Sequence, residues 1–240
     1  MTTRLFTSAL FAGLVAGLIA VLLQWSIMEK LILEGEEYET GNLNHFAGVL
    51  VINEAAEAAG IVVEEEEEEP EDLLMRYSLA FFAAFVVFVG WSLMMTAGFA
   101  IAERFGKRIT MKDGLLWGIA GYAAIHMLPS IGLPPELPGT PAADLELRQL
   151  WWVSTALASV LGIALIAYGQ SAVYVVVGLA LLVAPHLIGA PHMEGYSGVA
   201  PPELSGEYVA RSLAVGMIAW TVLGLAAGYF WNRSAPAQTT

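Results

Sequence analysis

Hydrophobic positions along this chain come in blocks rather than in alternation. Six apolar stretches stand out, at about Leu5–Met28, Leu74–Ala102, Gly114–Ile131, Leu150–Gly169, Ala172–Gly189 and Val209–Trp231. Blocks of about 20 apolar residues suit helices that cross a hydrocarbon core of ~30 Å. The fold class expected is all-α: a polytopic bundle of about six transmembrane helices forming a single membrane domain over 1–240. The third and fifth stretches are short and rich in Gly, Ala or Pro; if the third does not span, the count falls to five. The first block is longer than the roughly 7–15 residues of a signal-peptide core, and no small-x-small cleavage site follows it, so it reads as a retained helix.

Between the first two blocks, residues 29–73 read as an acidic extracellular loop. Leu43, Phe46, Ala47 and Leu50 recur at helical spacing within it, which suggests an amphipathic surface helix over Asn42–Ala59. The run Glu64–Glu69 should repel itself into a disordered, solvated tether. Residues 234–240 read as a flexible tail. The segment from Pro134 to Pro141 carries four prolines, which lack the amide donor and fix φ, so a stiff connector or lid is expected there.

Charge gives an orientation. With the N-terminus inside, Arg104, Lys107, Arg108 and Lys112 crowd one short cytoplasmic loop, and of the acidic residues only Glu103 and Asp113 share that side. Both termini are expected to be cytoplasmic in a multi-pass plasma-membrane protein. Trp25, Trp151 and Trp152 are expected at the outer interface, Trp117 and Trp231 at the inner one, and Trp91 and Trp220 in mid-helix packing. Gly13 and Gly17, Gly114 and Gly118, and Gly224 and Gly228 are spaced for close backbone approach between helices. That spacing fits plain bundle packing or the sliding surfaces of a transporter.

Composition narrows the chemistry. The chain is 57% hydrophobic and 14% charged, with mean hydropathy +0.65. Soluble domains usually carry about 25% charged residues. A net charge of −13 with no basic surface of any size argues against nucleic acid. No cysteine is present, which removes disulfides, thiolate metal sites and thiol catalysis. Phosphate-loop, zinc-protease and serine-hydrolase motifs are all missing, and no intramembrane carboxylate pair suits acid–base work. The chain is expected not to be an enzyme, and no resident cofactor is called for.

Four histidines remain: His45, His126, His186 and His192. In the six-span topology all four lie toward the outer side, with His126 and His186 roughly 5–8 Å below the interface at 1.5 Å per residue. Ala184-Pro185-His186 and Ala190-Pro191-His192 repeat the same motif. Ionisable groups inside a membrane are costly and so draw attention as functional candidates. Neutral imidazole binds late first-row divalent ions, and Met127, Met193 and Glu194 are placed to complete a shell. The competing reading is four ordinary interfacial histidines bonded to their neighbours. Thr155, Ser159 and the other hydroxyls of the spans read as interhelical hydrogen-bonders.

One stretch of residues is more distinctive than the helices. His126-Met127-Leu128-Pro129, Gly132-Leu133-Pro134-Pro135-Glu136-Leu137-Pro138-Gly139, Arg148-Gln149-Leu150-Trp151-Trp152 and Ala184-Pro185-His186 with Gly189-Ala190-Pro191 together resemble the CbtA family. The resemblance implies a predicted cobalt transporter subunit, encoded near cobalamin-related genes and accompanied by a small single-span, His-bearing partner, CbtB. The family is described with five spans, and the long acidic loop departs from its pattern. The histidines, the outer carboxylates and the resemblance together point to uptake of Co²⁺, with Ni²⁺ as the other candidate. The partners expected are the lipid bilayer, the CbtB-like subunit that the resemblance implies, and further copies of the chain. The rival class is a non-transporting scaffold that binds a small partner protein.

Overall fold

The computed structural model describes residues 2–43, 70–195 and 197–234. Among them every regular element is helical. In chain order these are α1 (Thr2–Leu23), a π-helical turn (Gln24–Met28), α2 (Glu29–Thr40), α3 (Pro70–Arg104), α4 (Met111–Gly121), a second π-turn (Tyr122–Met127), α5 (Leu128–Gly132), α6 (Leu145–Tyr168), α7 (Ala172–Ile188) and α8 (Pro202–Arg233). The amphipathic segment from residue 44 onward, the glutamate run, His45 and the tail from 235 lie outside the described residues.

Five helices are long and apolar enough to cross a membrane: Thr2–Thr40, Leu74–Arg104, Met111–Gly132, Leu145–Tyr168 and Pro202–Arg233. The third stretch, the insecure one by sequence, is among them, at 22 residues. The short one is instead α7, with 17 residues, about 25 Å of helix. A second difference concerns the supposed loop from Glu29. The first helix runs on through Thr40 as one 39-residue rod, so α2 is a helical post and not a loop. Its apolar face explains why: Leu31 is buried with Leu137 of the proline-rich segment and Leu204 of α8.

Helix starts follow from local chemistry. Thr110 and Asp113 form a reciprocal capping box at α4, the Thr110 amide donating to Asp113 Oδ2 at 2.8 Å. Asp144 accepts from the Leu147 amide at the start of α6. The two π-turns place a backbone N–H on the carbonyl five residues back, Glu29 on Gln24 and Leu128 on Ala123. The second ends at Met127, two residues before Pro129, which has no N–H to extend either pattern. The His126 carbonyl is taken by the Ser130 hydroxyl, at 2.6 Å.

The spaced glycines do what close packing requires. A Cβ on Gly224 would sit 2.6 Å from the Gly118 Cα, and one on Gly114 would sit 2.8 Å from the Gly228 Cα, so α4 and α8 touch backbone to backbone. Gly13 abuts the Val89 backbone of α3 in the same manner. Around these contacts α1, α3, α4 and α8 share one apolar core, centred on Phe99, Leu223, Ala227 and Trp231, all fully buried. At one end Arg4 of α1 makes a two-pronged ion pair with Glu103 of α3, at 2.9 and 3.1 Å. Arg4 also donates to the Trp231 carbonyl and lies 4.1 Å over its indole, whose N–H returns to Glu103. Trp231 and Trp151 are therefore interior residues, not the interfacial anchors that their positions suggested. Trp25, 42% exposed, keeps an anchor's exposure.

Candidate functional site

At the end of the bundle opposite Arg4, three segments far apart in sequence converge. Arg148, in the first turn of α6, donates to Glu136 of the proline-rich segment at 2.6 Å. Trp151, one turn further, donates its indole N–H to the Pro185 carbonyl of α7 at 3.3 Å. Gly132 lies under the same indole, where a Cβ would come within 2.8 Å of Trp151 Cζ2 and 2.9 Å of the Ala190 Cβ. The distinctive residues of the sequence thus form one junction, with Trp151 as its hub. The proline-rich segment is pinned by the Arg148 pair and by buried Leu137, so it acts as a fixed wall.

Two adjoining clefts open above this junction. The larger, about 610 Å³, is lined by Asp144, Leu147, His192, Met193 and Glu194. The smaller, about 340 Å³, is lined by Leu133, Glu136, Arg148, His192 and Met193 among others. His192, Met193 and Glu194 are all exposed there, so an imidazole, a thioether and a carboxylate share one accessible surface.

His186 sits in the last turn of α7, edge-on to Trp151 with ring centres 6.0 Å apart. Both of its ring nitrogens are buried with no hydrogen-bond partner. His126 lies on the second π-turn, stacked on Tyr122 at 5.6 Å. Its Nε2 is likewise buried and unpartnered and faces α8, where a Cβ on Gly216 would approach it to 2.8 Å. Tyr122 donates its hydroxyl to the Leu213 carbonyl, which fixes the stack against α8. On the other flank of α8, Arg211 reaches Ile27 of the first π-turn, at 3.1 Å from its carbonyl. Both π-turns therefore bear on the same stretch of α8. Such turns recur at functional sites because they free or re-aim backbone and side-chain groups.

His192, Met193 and Glu194 are thus brought together. His186 lies at the Trp151 hub, His126 stands against α8, and Met127 is an exposed neighbour of His126. Among the described residues no three His, Cys, Asp or Glu are grouped so as to hold a metal ion. Sequence reasoning passed over Tyr122 and took Trp151 for an interfacial anchor, whereas the two rings stand against His126 and His186. It also took Thr155 and Ser159 for hydrogen-bonders; both are fully buried on α6, yet their hydroxyls have no partner. They lie one and two turns from Trp151 on the same helix face. The i, i+4 spacing was the signal available.

Fold and site together define a polytopic helical membrane protein with a polar mouth at one end of the bundle and unpartnered polar groups beneath it. The chain belongs to the CbtA family: the family model, described as "Probable cobalt transporter subunit (CbtA)", matches residues 2–232. No curated protein and no solved structure matches the chain.

Proposed function

We propose that this chain is the membrane subunit of an uptake system for Co²⁺ or Ni²⁺, with the His192 mouth facing outward and both termini in the cytoplasm. The observation that carries this reading is His186, whose two ring nitrogens are buried and unpartnered beside Trp151, on the chain segment that leads to the cleft lined by His192, Met193 and Glu194. Leaving a buried polar group unpaired costs about 1–3 kcal/mol. A passing cation that accepts the imidazole lone pair offsets that cost, and imidazole nitrogen is a ligand that Co²⁺ and Ni²⁺ favour.

In this scheme the carboxylates of the mouth attract the divalent ion, and His192 with Met193 and Glu194 takes its first inner-sphere contacts. His186 and then His126 receive it within the bundle. Inward movement of a divalent ion down an interior-negative potential releases about 4.6 kcal/mol per 100 mV, twice the value for one charge. Water and a small His-bearing second subunit supply the remaining ligands, because one chain brings few imidazoles to any one level.

Radiocobalt uptake into proteoliposomes tests the reading, with the chain alone and with a CbtB-like subunit added. His126→Ala combined with His186→Ala should lower uptake at least about tenfold, the loss of roughly 1.4 kcal/mol of ion binding or more. Unchanged uptake in that double variant would remove the imidazole pathway. If the native chain shows no flux either with or without the small subunit, the transport reading gives way to the scaffold.

A further inference from the structure

The α3–α4 connection, taken from the last residue of α3 through the first turn of α4, carries four of the chain's ten Lys and Arg residues within nine positions, in a protein of net charge −13. At the other end of the bundle the arginines are paired, and the only cation exposed without a partner among the described residues is Lys30. Arg76, Arg148 and Arg211 each hold a carboxylate, on Glu36, Glu136 and Glu207. Arg104, Lys107, Arg108 and Lys112 are all exposed and make no ion pair or side-chain hydrogen bond among the described residues. The two acids beside them are already engaged, Glu103 with Arg4 and Trp231, Asp113 with the Thr110 cap.

The loop is also built rigidly. Gly106, at φ 79°, closes α3, with the Gly106 amide on the Glu103 carbonyl and the Lys107 amide on the Ala102 carbonyl, which is a Schellman closure. Ile109 is buried in the main core and the Thr110 box follows at once. Four cations and Phe105, the latter 81% exposed, are thus held on a short connection between two membrane-crossing helices.

We infer that this loop is a binding site for the phosphodiester headgroups of anionic phospholipid in the leaflet it meets. The cations match the headgroup phosphates, and Phe105 matches the boundary between headgroups and acyl chains. A soluble anion would use the cations but leave the ring without a place, so the exposed Phe105 favours lipid over free phosphate or an acidic peptide.

Native mass spectrometry of the full chain, offered equal phosphatidylglycerol and phosphatidylcholine of matched acyl chains, reads the preference. The native chain should retain phosphatidylglycerol over phosphatidylcholine by roughly fivefold or more, since each basic residue near an anionic surface adds about that factor. Lys107→Gln with Lys112→Gln should abolish most of the preference. Raising the salt on the native chain from about 50 to 500 mM should erode it too, because screening shortens to a few ångströms; this arm needs no variant to fold. Equal retention of the two lipids overturns the inference, as does a preference indifferent to salt. Displacement of phosphatidylglycerol by millimolar inorganic phosphate makes it a free-phosphate site, and displacement by hexaglutamate peptide makes it a site for an acidic protein segment. Either result overturns the lipid assignment.

Discussion

The helices divide into two parts that differ in how they treat their ionisable groups, although each buries two unpartnered hydroxyls. In the quartet of α1, α3, α4 and α8, the interior is an apolar core, and its chief charged contact is matched on every side: the Arg4 guanidinium, the Glu103 carboxylate and the Trp231 indole satisfy one another. The hairpin of α6 and α7 contributes no residue to that core. It instead buries the Thr155 and Ser159 hydroxyls and both nitrogens of His186 without partners. Ser8 and Ser92 are the quartet's exceptions. In lipid, where water is absent, an unpaired group is costly, so such groups persist where something other than stability maintains them. On the proposed transport reading, the contrast gives the quartet the task of holding the fold and leaves the hairpin and its neighbouring π-turn as the candidates for handling the ion.

The most damaging way to break the contrast is to part the quartet at its closest seam. Gly224→Leu puts a side chain where the Gly118 Cα and amide stand at 2.6 and 2.7 Å from a mere Cβ. Backbone on a helix cannot step aside as a side-chain tip can, and overpacking costs typically about 1–3 kcal/mol even where relaxation is available. The expected outcome is loss of folded protein, seen as failure to recover a monodisperse species from membranes. A comparable yield of well-behaved Gly224→Leu protein would mean that the α4–α8 contact is not what holds the quartet together.

Glu103→Ala should come next in size. It strands Arg4, whose side chain is only 15% exposed, and leaves the Trp231 indole N–H without its acceptor. Removing one partner of a fully buried pair costs about 3–5 kcal/mol; for this partly exposed one we expect about 2–3 kcal/mol, measured by detergent-titrated unfolding. Glu103→Gln should recover part of the loss through its amide oxygen.

What the residues alone revealed follows from which forces are local. The apolar blocks located the helices, and the glycine pairs at 114 and 118 and at 224 and 228 located a seam, because a four-residue spacing is a property of one helix face. The extension of the first helix through Thr40 was illegible because α2 is fixed by Leu137 and Leu204, distant residues that no local pattern reveals. The Trp positions misled for a related reason. An indole needs an apolar bed and one hydrogen-bond acceptor, and the Pro185 carbonyl or the Glu103 carboxylate inside the bundle serves as well as a headgroup outside it. At the candidate site, residue types pointed to imidazoles and a carboxylate, whereas the burial of His186 and His126 without partners is a tertiary fact. The second π-turn was equally hidden: Pro129 signals a disturbed helix but not which carbonyl or ring it turns toward.

The smallest expected change in stability is the one that best separates the two roles. Thr155→Val keeps the volume and the β-branch of a fully buried residue and removes only a hydroxyl that has no partner. In the quartet a polar deletion such as Glu103→Ala destabilises. In the hairpin, removing an unsatisfied polar atom should leave stability unchanged or raise it by about 1 kcal/mol. If Thr155 belongs to the ion's route below His186, radiocobalt uptake should nevertheless fall severalfold, because the replacement leaves a dry methyl where a hydrated cation needs an oxygen. Stability and flux would then move in opposite directions. A Thr155→Val protein that loses stability would show that the hydroxyl is bonded in the membrane after all, and the hairpin would then be packed by the same rules as the quartet. Unaltered flux with unaltered stability would confine the route to the histidines and leave Thr155 as plain packing.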